Sequence, residues 1–208
     1  MRGLVRLLYW IIRRLMGVVV SVLFGIEVNG RENVPSSGPV IVCSNHIGWI
    51  DPVVLAMVIP LRVSFMAKEE LFRYPVFGGV LLRVGAFPVK RGKSDRNAVR
   101  IASAVLKNGG VLGMFPEGTR SRTGEMGKGH NGAAYLAIRN GAAVLPVGIA
   151  GPYRLGRPVR VSVGKPIVLE GAGERVSSDE MGIASARVME AIAGLLDRGS
   201  AIADQRIG

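Results

Sequence analysis

What limits the possible folds of this chain is the rhythm of its sequence after residue 25. Short apolar runs of four to six residues alternate with longer stretches of helical character. The runs predict strands over 26–29, 40–43, 63–66, 86–89, 111–115, 144–149 and 159–163. The longer stretches predict helices over 52–59, 74–83, 94–107, 131–139 and 177–196. Ser94 is a good N-cap for the third of these, and Asn108-Gly109-Gly110 a good stop. Such alternation implies an α/β domain with a largely parallel central sheet flanked by helices. At 208 residues the chain can bury a sizeable core, and it shows no internal repeat and no long linker.

Four of the predicted strands run straight into polar residues. Strand 40–43 leads to His46, strand 63–66 to Lys68, strand 86–89 to Lys90 and Arg91, and strand 111–115 to Glu117, Thr119 and Arg120. In open α/β sheets ligands bind beyond the carboxyl ends of the strands. Parallel neighbours would therefore gather a base and several cations around one cleft, as a substrate with a hydroxyl and a phosphate requires.

The densest of these sites is Ser44-Asn45-His46-Ile47-Gly48-Trp49-Ile50-Asp51-Pro52. Histidine is the side chain best suited to taking a proton near neutral pH. A carboxylate on one ring nitrogen fixes the tautomer and leaves the other nitrogen as a base. Helical neighbours lie three or four positions apart, so His46 and Asp51 can meet only across a turn, which Gly48 permits. Pro52 suits the first position of a helix and makes Asp51 its N-cap, a second role that is purely structural.

The N-terminal segment 1–26 is apolar but broken by Arg2, Arg6, Arg13 and Arg14. Its longest uncharged stretch, 15–26, is shorter than the ~18 to 20 residues of a spanning helix. A small-residue cleavage site is lacking, and Arg13-Arg14 interrupts what would be a signal core. The reading is one or two amphipathic helices in a membrane interface, with arginines reaching anionic headgroups. A helix packed only on its own domain is the alternative. The division is then a membrane-interface segment 1–26, an α/β domain 27–198 and a tail 199–208. The formal charge of +12 fits an anionic partner, whether nucleic acid, an acidic membrane or a phosphorylated substrate. A single cysteine excludes an internal disulfide and is consistent with a reducing compartment.

A second dense site is Phe115-Pro116-Glu117-Gly118-Thr119-Arg120-Ser121. Gly118 allows a close backbone approach, and Arg120 offers a planar fork for phosphate oxygens. Glu117 could pair with an arginine or hold a hydroxyl; a solvated basic turn is the plainer alternative.

Asn-His-x4-Asp at 45–51 and Phe-Pro-Glu-Gly-Thr-Arg-Ser at 115–121, in that order, resemble the glycerolipid acyltransferase family of the lysophosphatidic acid acyltransferase type. Gly85-Ala-Phe-Pro-Val-Lys90-Arg91 and Val144-Leu-Pro146-Val-Gly148-Ile resemble its second and fourth blocks. The resemblance covers roughly residues 40–150. It implies that His46 is the general base and Asp51 its orienter, and that Arg91, Glu117, Gly118, Thr119 and Arg120 bind the acceptor's glycerol-phosphate end. It makes Lys68 an aid to the phosphate or the oxyanion. It further implies acyl transfer to the sn-2 hydroxyl of 1-acyl-glycerol-3-phosphate, with coenzyme A or acyl carrier protein as the donor's carrier and no metal or redox cofactor. Another lysolipid or glycerol 3-phosphate is the alternative acceptor. The enzyme would be monotopic, on the cytoplasmic face of a membrane with anionic lipids. The segment 127–132 departs from the Lys-Lys-Gly-type sequence often seen in the family.

Other chemistries fit less well. On a strand, Cys43 would project into the core and not toward His46. His130 has no second ligand at metal spacing and reads as a surface or substrate-edge residue. Lys128 is followed by Gly129 where a phosphate-binding P-loop has Ser or Thr. A nucleic-acid-binding protein would match the charge, but no familiar module appears and much of the charge sits in the apolar N-terminus.

Overall fold

The structure, a computed structural model, describes residues 2–90, 95–121, 123, 125–170 and 177–204. Seven strands form one sheet: β1 (Ile26–Asn29), β2 (Val40–Ser44), β3 (Val63–Lys68), β4 (Phe87–Val89), β5 (Val111–Met114), β6 (Ala143–Ala150) and β7 (Val159–Val163). Their order is β1-β7-β6-β2-β5-β3-β4. Every neighbouring pair is parallel except β6 with β7. The helices are α1 (Arg2–Phe24), α2 (Asp51–Val58), α3 (Pro75–Arg83), α4 (Arg96–Lys107), α5 (Gly132–Asn140) and α6 (Ser178–Asp204). The expected α/β architecture is therefore present, with every predicted strand and helix in place.

The sheet has a core on each face. β2 is buried at every position, as a central strand covered on both sides must be. Its Ile41 and Cys43 join the core under α4, α5 and α6, while Val40 and Val42 join the core under α1 and α2. β7 instead alternates buried and half-buried residues, the pattern of a strand covered on one face.

Three helix ends differ from expectation. Ser94 lies outside the described residues; α4 is capped by Asp95, whose carboxylate accepts from the amides of Asn97 and Ala98, both at 3.0 Å. Asp51 does not cap α2. It is the helix's first residue, and its carboxylate points back into the preceding turn. α6 runs to Asp204, past the 196 at which the sequence pattern ends. Its start is a capping box: the Ser177 hydroxyl accepts from the Glu180 amide, and Glu180 accepts from the Ser177 amide at 2.8 Å.

The N-terminal segment is one helix with two apolar stripes. Tyr9, Arg13, Gly17, Val20 and Phe24, spaced four, four, three and four apart, form the inner stripe. Tyr9 and Val20 are buried. The Tyr9 hydroxyl accepts from the Val63 amide at 3.2 Å. The Arg13 guanidinium donates to the carbonyls of Ala56, Met57 and Ile59, closing the carboxyl end of α2. The outer stripe, Leu7, Ile11, Leu15, Val18 and Val22, is exposed, Val22 to 78%. By length and composition 7–24 could cross a membrane, a longer stretch than the uncharged 15–26. The inner-stripe contacts pack this helix against α2.

Candidate active site

The parallel order β2-β5-β3-β4 puts the carboxyl ends of four strands on one edge of the sheet. The turn after β2 is built around Asp51, which is fully buried. Its Oδ2 accepts from the backbone amides of Ile47 (2.7 Å) and Gly48 (2.8 Å) and lies 2.7 Å from His46 Nδ1. An oxygen that already accepts two amides acts as an acceptor, so Nδ1 carries the proton and Nε2 offers its lone pair. Nothing among the described residues bonds Nε2.

Asp51 has a fourth partner. The Tyr153 hydroxyl donates to Oδ1 at 2.5 Å. Burial, and then the adjacent carboxylate, pushes the Tyr153 phenol well above its ordinary range, so it stays a donor. The Tyr153 ring lies over Gly48, where a Cβ would come within 2.8 Å of Cε2. The ring also meets Phe24, the last residue of α1, edge-on at 5.5 Å between centroids.

The second motif holds the first. Glu117, after β5, is buried; its Oε1 accepts from the His46 amide (2.9 Å) and its Oε2 from the Gly127 amide (2.7 Å). The Ser121 amide donates to the His46 carbonyl at 2.7 Å. Both backbone groups of the histidine are thus fixed by the 115–121 segment. Phe115 stacks on the imidazole at 4.0 Å and 15°, and Phe65 of β3 lies behind Phe115 at 6.3 Å. Gly113 leaves room for Phe65, since a Cβ there would meet its ring at 2.1 Å. Asn45 completes the frame where β2 ends: Oδ1 accepts from the Ile149 amide (2.8 Å) and Nδ2 donates to the Ile149 carbonyl (2.9 Å).

The cations stand further out. Arg120 stacks over the exposed Trp49, with its guanidinium carbon 3.8 Å from the ring centroid, beside the His46 turn. Lys68 is exposed at the end of β3 and pairs with Glu70 at 3.2 Å. Lys90 is exposed after β4, and Arg91 lies outside the described residues. Gly118 adopts φ +67°, which favours glycine, and Thr119 is exposed beside it. His46, Asp51 and Glu117 are brought into direct contact with one turn, and Arg120 reaches that turn through Trp49; Lys68 and Thr119 are exposed at strand and loop ends on the same edge, with no contact to His46 among those described.

The competing cysteine-nucleophile reading is answered. Cys43 is fully buried in the core, and that burial raises its thiol to about 12, so it stays protonated. His130 is exposed, with its ring against Gly118. Sequence reasoning missed Tyr153, Phe115 as a ring platform, and the backbone role of Glu117. Tyr153 gave no signal, because it lies 102 positions from Asp51.

Comparison with known proteins points one way. Residues 25–150 match the Acyltransferase family model. Over 157 residues the chain is 30% identical to the 1-acyl-sn-glycerol-3-phosphate acyltransferase of Bacillus subtilis, covering 72% of this chain and 77% of that one. It is 37% identical over 142 residues to the lyso-ornithine lipid O-acyltransferase of Brucella abortus, covering 64% of this chain and 52% of the relative. The crystal structure of the 1-acyl-sn-glycerophosphate (LPA) acyltransferase PlsC of Thermotoga maritima superposes with a TM-score of 0.77 at 26% identity, over 93% of this chain and 80% of that one.

Proposed function

The chain belongs to the Acyltransferase family, and from that membership we propose that it acylates the sn-2 hydroxyl of 1-acyl-glycerol-3-phosphate to give phosphatidic acid. The observation that carries the mechanism is the 2.7 Å contact between His46 Nδ1 and a buried Asp51, which leaves Nε2 as a base. Nε2 takes the proton of the lipid hydroxyl as its oxygen attacks the thioester carbonyl. The tetrahedral intermediate collapses, the carbon–sulfur bond breaks, and His46 returns the proton to the leaving thiolate. Asp51 stabilises the imidazolium formed in between. General-base help of this kind contributes about a hundred- to ten-thousand-fold. The thioester brings an already activated acyl group. Arg120 and Lys68 supply positive charge for the acceptor phosphate.

The outer stripe of α1 supports a monotopic seat in the bilayer surface. Tyr74, Val76, Phe77 and Leu82, on and beside α3, extend the same apolar side, because α3 packs against α1. A groove of about 460 Å³ between α1 and α2 opens there. The proposed soluble thioester donor supports the cytoplasmic leaflet as the side on which this surface sits.

The lyso-ornithine lipid relative favours a second acceptor reading, a lysolipid with a different headgroup. The test is to give the purified protein anionic liposomes, a labelled acyl thioester and a panel of lysolipids. Product from lysophosphatidic acid is the expected result. Product solely from another lysolipid would replace that acceptor, and no product from any would remove the activity.

A further inference from the structure

α4 and α5 pack side by side on the sheet face opposite α1 and α2. α4 turns Ala98, Ala102 and Leu106 inward. Its outer positions, spaced four, three and four apart, are Arg96, Arg100, Ser103 and Lys107. With Tyr135 and Arg139 of α5 they line a groove of about 390 Å³. Four cations thus face one groove, and none has a carboxylate in ion-pair range among the described residues. Arg100 donates to Asn97 Oδ1 at 3.0 Å and Arg139 to the Tyr135 hydroxyl at 2.8 Å. These neutral partners orient the guanidinium groups without neutralising them. Like charges one helical turn apart repel, so the arrangement is unfavourable until an anionic partner arrives.

The position of the groove says which partner. The apolar stripe of α1 and the residues of α3 lie on the other side of the sheet, so a bilayer seated there leaves the groove facing water. The groove nevertheless begins at the reacting edge. Asp95, which caps α4, accepts from the amide of Lys90, the residue directly after β4. From Arg96 to Lys107 the row is roughly 16 Å long at 1.5 Å per residue. A row of charges at one-turn spacing complements carboxylates along a partner helix.

Resting on the acyl-transfer reading above, we infer that the α4–α5 groove docks an acidic acyl carrier protein, which delivers the acyl thioester to the His46 edge from the side facing away from the membrane. Contact is electrostatic, so it governs capture of the donor and not the transfer step.

The test compares wild type with Arg100→Glu/Arg139→Glu, both sites being exposed. Palmitoyl-carrier protein and palmitoyl-coenzyme A serve as donors, and binding of unacylated carrier protein is titrated separately. The expected result is at least a tenfold rise in KM for the carrier-protein donor, coenzyme A kinetics within twofold, and a matching loss of carrier binding. Added salt should weaken carrier binding to wild type. Arg100→Gln/Arg139→Gln should fall between, which guards against misfolding of the reversed variant. An unchanged carrier KM overturns the inference, as does an equal rise for both donors or failure of wild type to bind the carrier. Carrier binding that is lost on charge reversal, with no transfer to any lysolipid, would keep the dock and sink the proposed reaction.

Discussion

The His46 turn and the cations around it share one edge of the sheet but are built differently. In the turn the carboxylate is buried and the backbone is pinned: Asp51 has four partners, and the backbone of His46 is held at both ends by the 115–121 segment. Arg120, Lys68 and Lys90 are instead at or near the surface, held by a tryptophan face, by an ion pair, or by no side-chain contact described above. A proton-transferring group needs fixed geometry and a fixed tautomer, whereas a phosphate is attracted from several directions by mobile charge. The rigid half should therefore govern turnover, and the loose half acceptor affinity.

Substitutions in the two halves should separate along that line. Asp51→Asn keeps an oxygen that can face the Ile47 and Gly48 amides but removes the charge that stabilises imidazolium. We expect kcat to fall about a thousandfold, with the helical signal of α2 intact because Asp51 is not its cap; a loss under fivefold would make the carboxylate merely structural. Glu117→Gln turns an amide donor toward either the His46 or the Gly127 amide. That should lower stability by about 1–3 kcal/mol in a thermal melt and kcat roughly thirtyfold, with acceptor KM little changed. A dominant KM effect would return Glu117 to direct substrate contact. Tyr153→Phe removes one hydroxyl and keeps the ring against Gly48 and Phe24; kcat should drop roughly tenfold at constant KM. Arg120→Ala should do the reverse, raising acceptor KM about tenfold and leaving kcat within about twofold.

The fold was legible because its short apolar runs are separated by turn residues, although only α4 and α6 among the described helices begin on a side-chain cap. Asp95 caps α4 in place of Ser94, a shift of one residue in the cap. The His46–Asp51 contact was legible because both partners lie in one turn. What Glu117 does was not, since a glutamate in a basic loop reads equally well as a ligand for substrate or as a clamp on backbone amides. Only the adjacency of β2 and β5 decides for the clamp. It also explains why the two motifs occur together: the second fixes the backbone of the first. Tyr153 and the groove between α4 and α5 depend on contacts between distant segments, which no local pattern encodes.

Replacing His46 with alanine removes the base while leaving the Glu117 and Ser121 contacts, which are to its backbone. Acyl transfer from a labelled thioester to lysophosphatidic acid, followed at saturating concentrations of both, should fall at least about a thousandfold, with acceptor binding retained. Transfer at the wild-type rate by that variant would contradict the account outright.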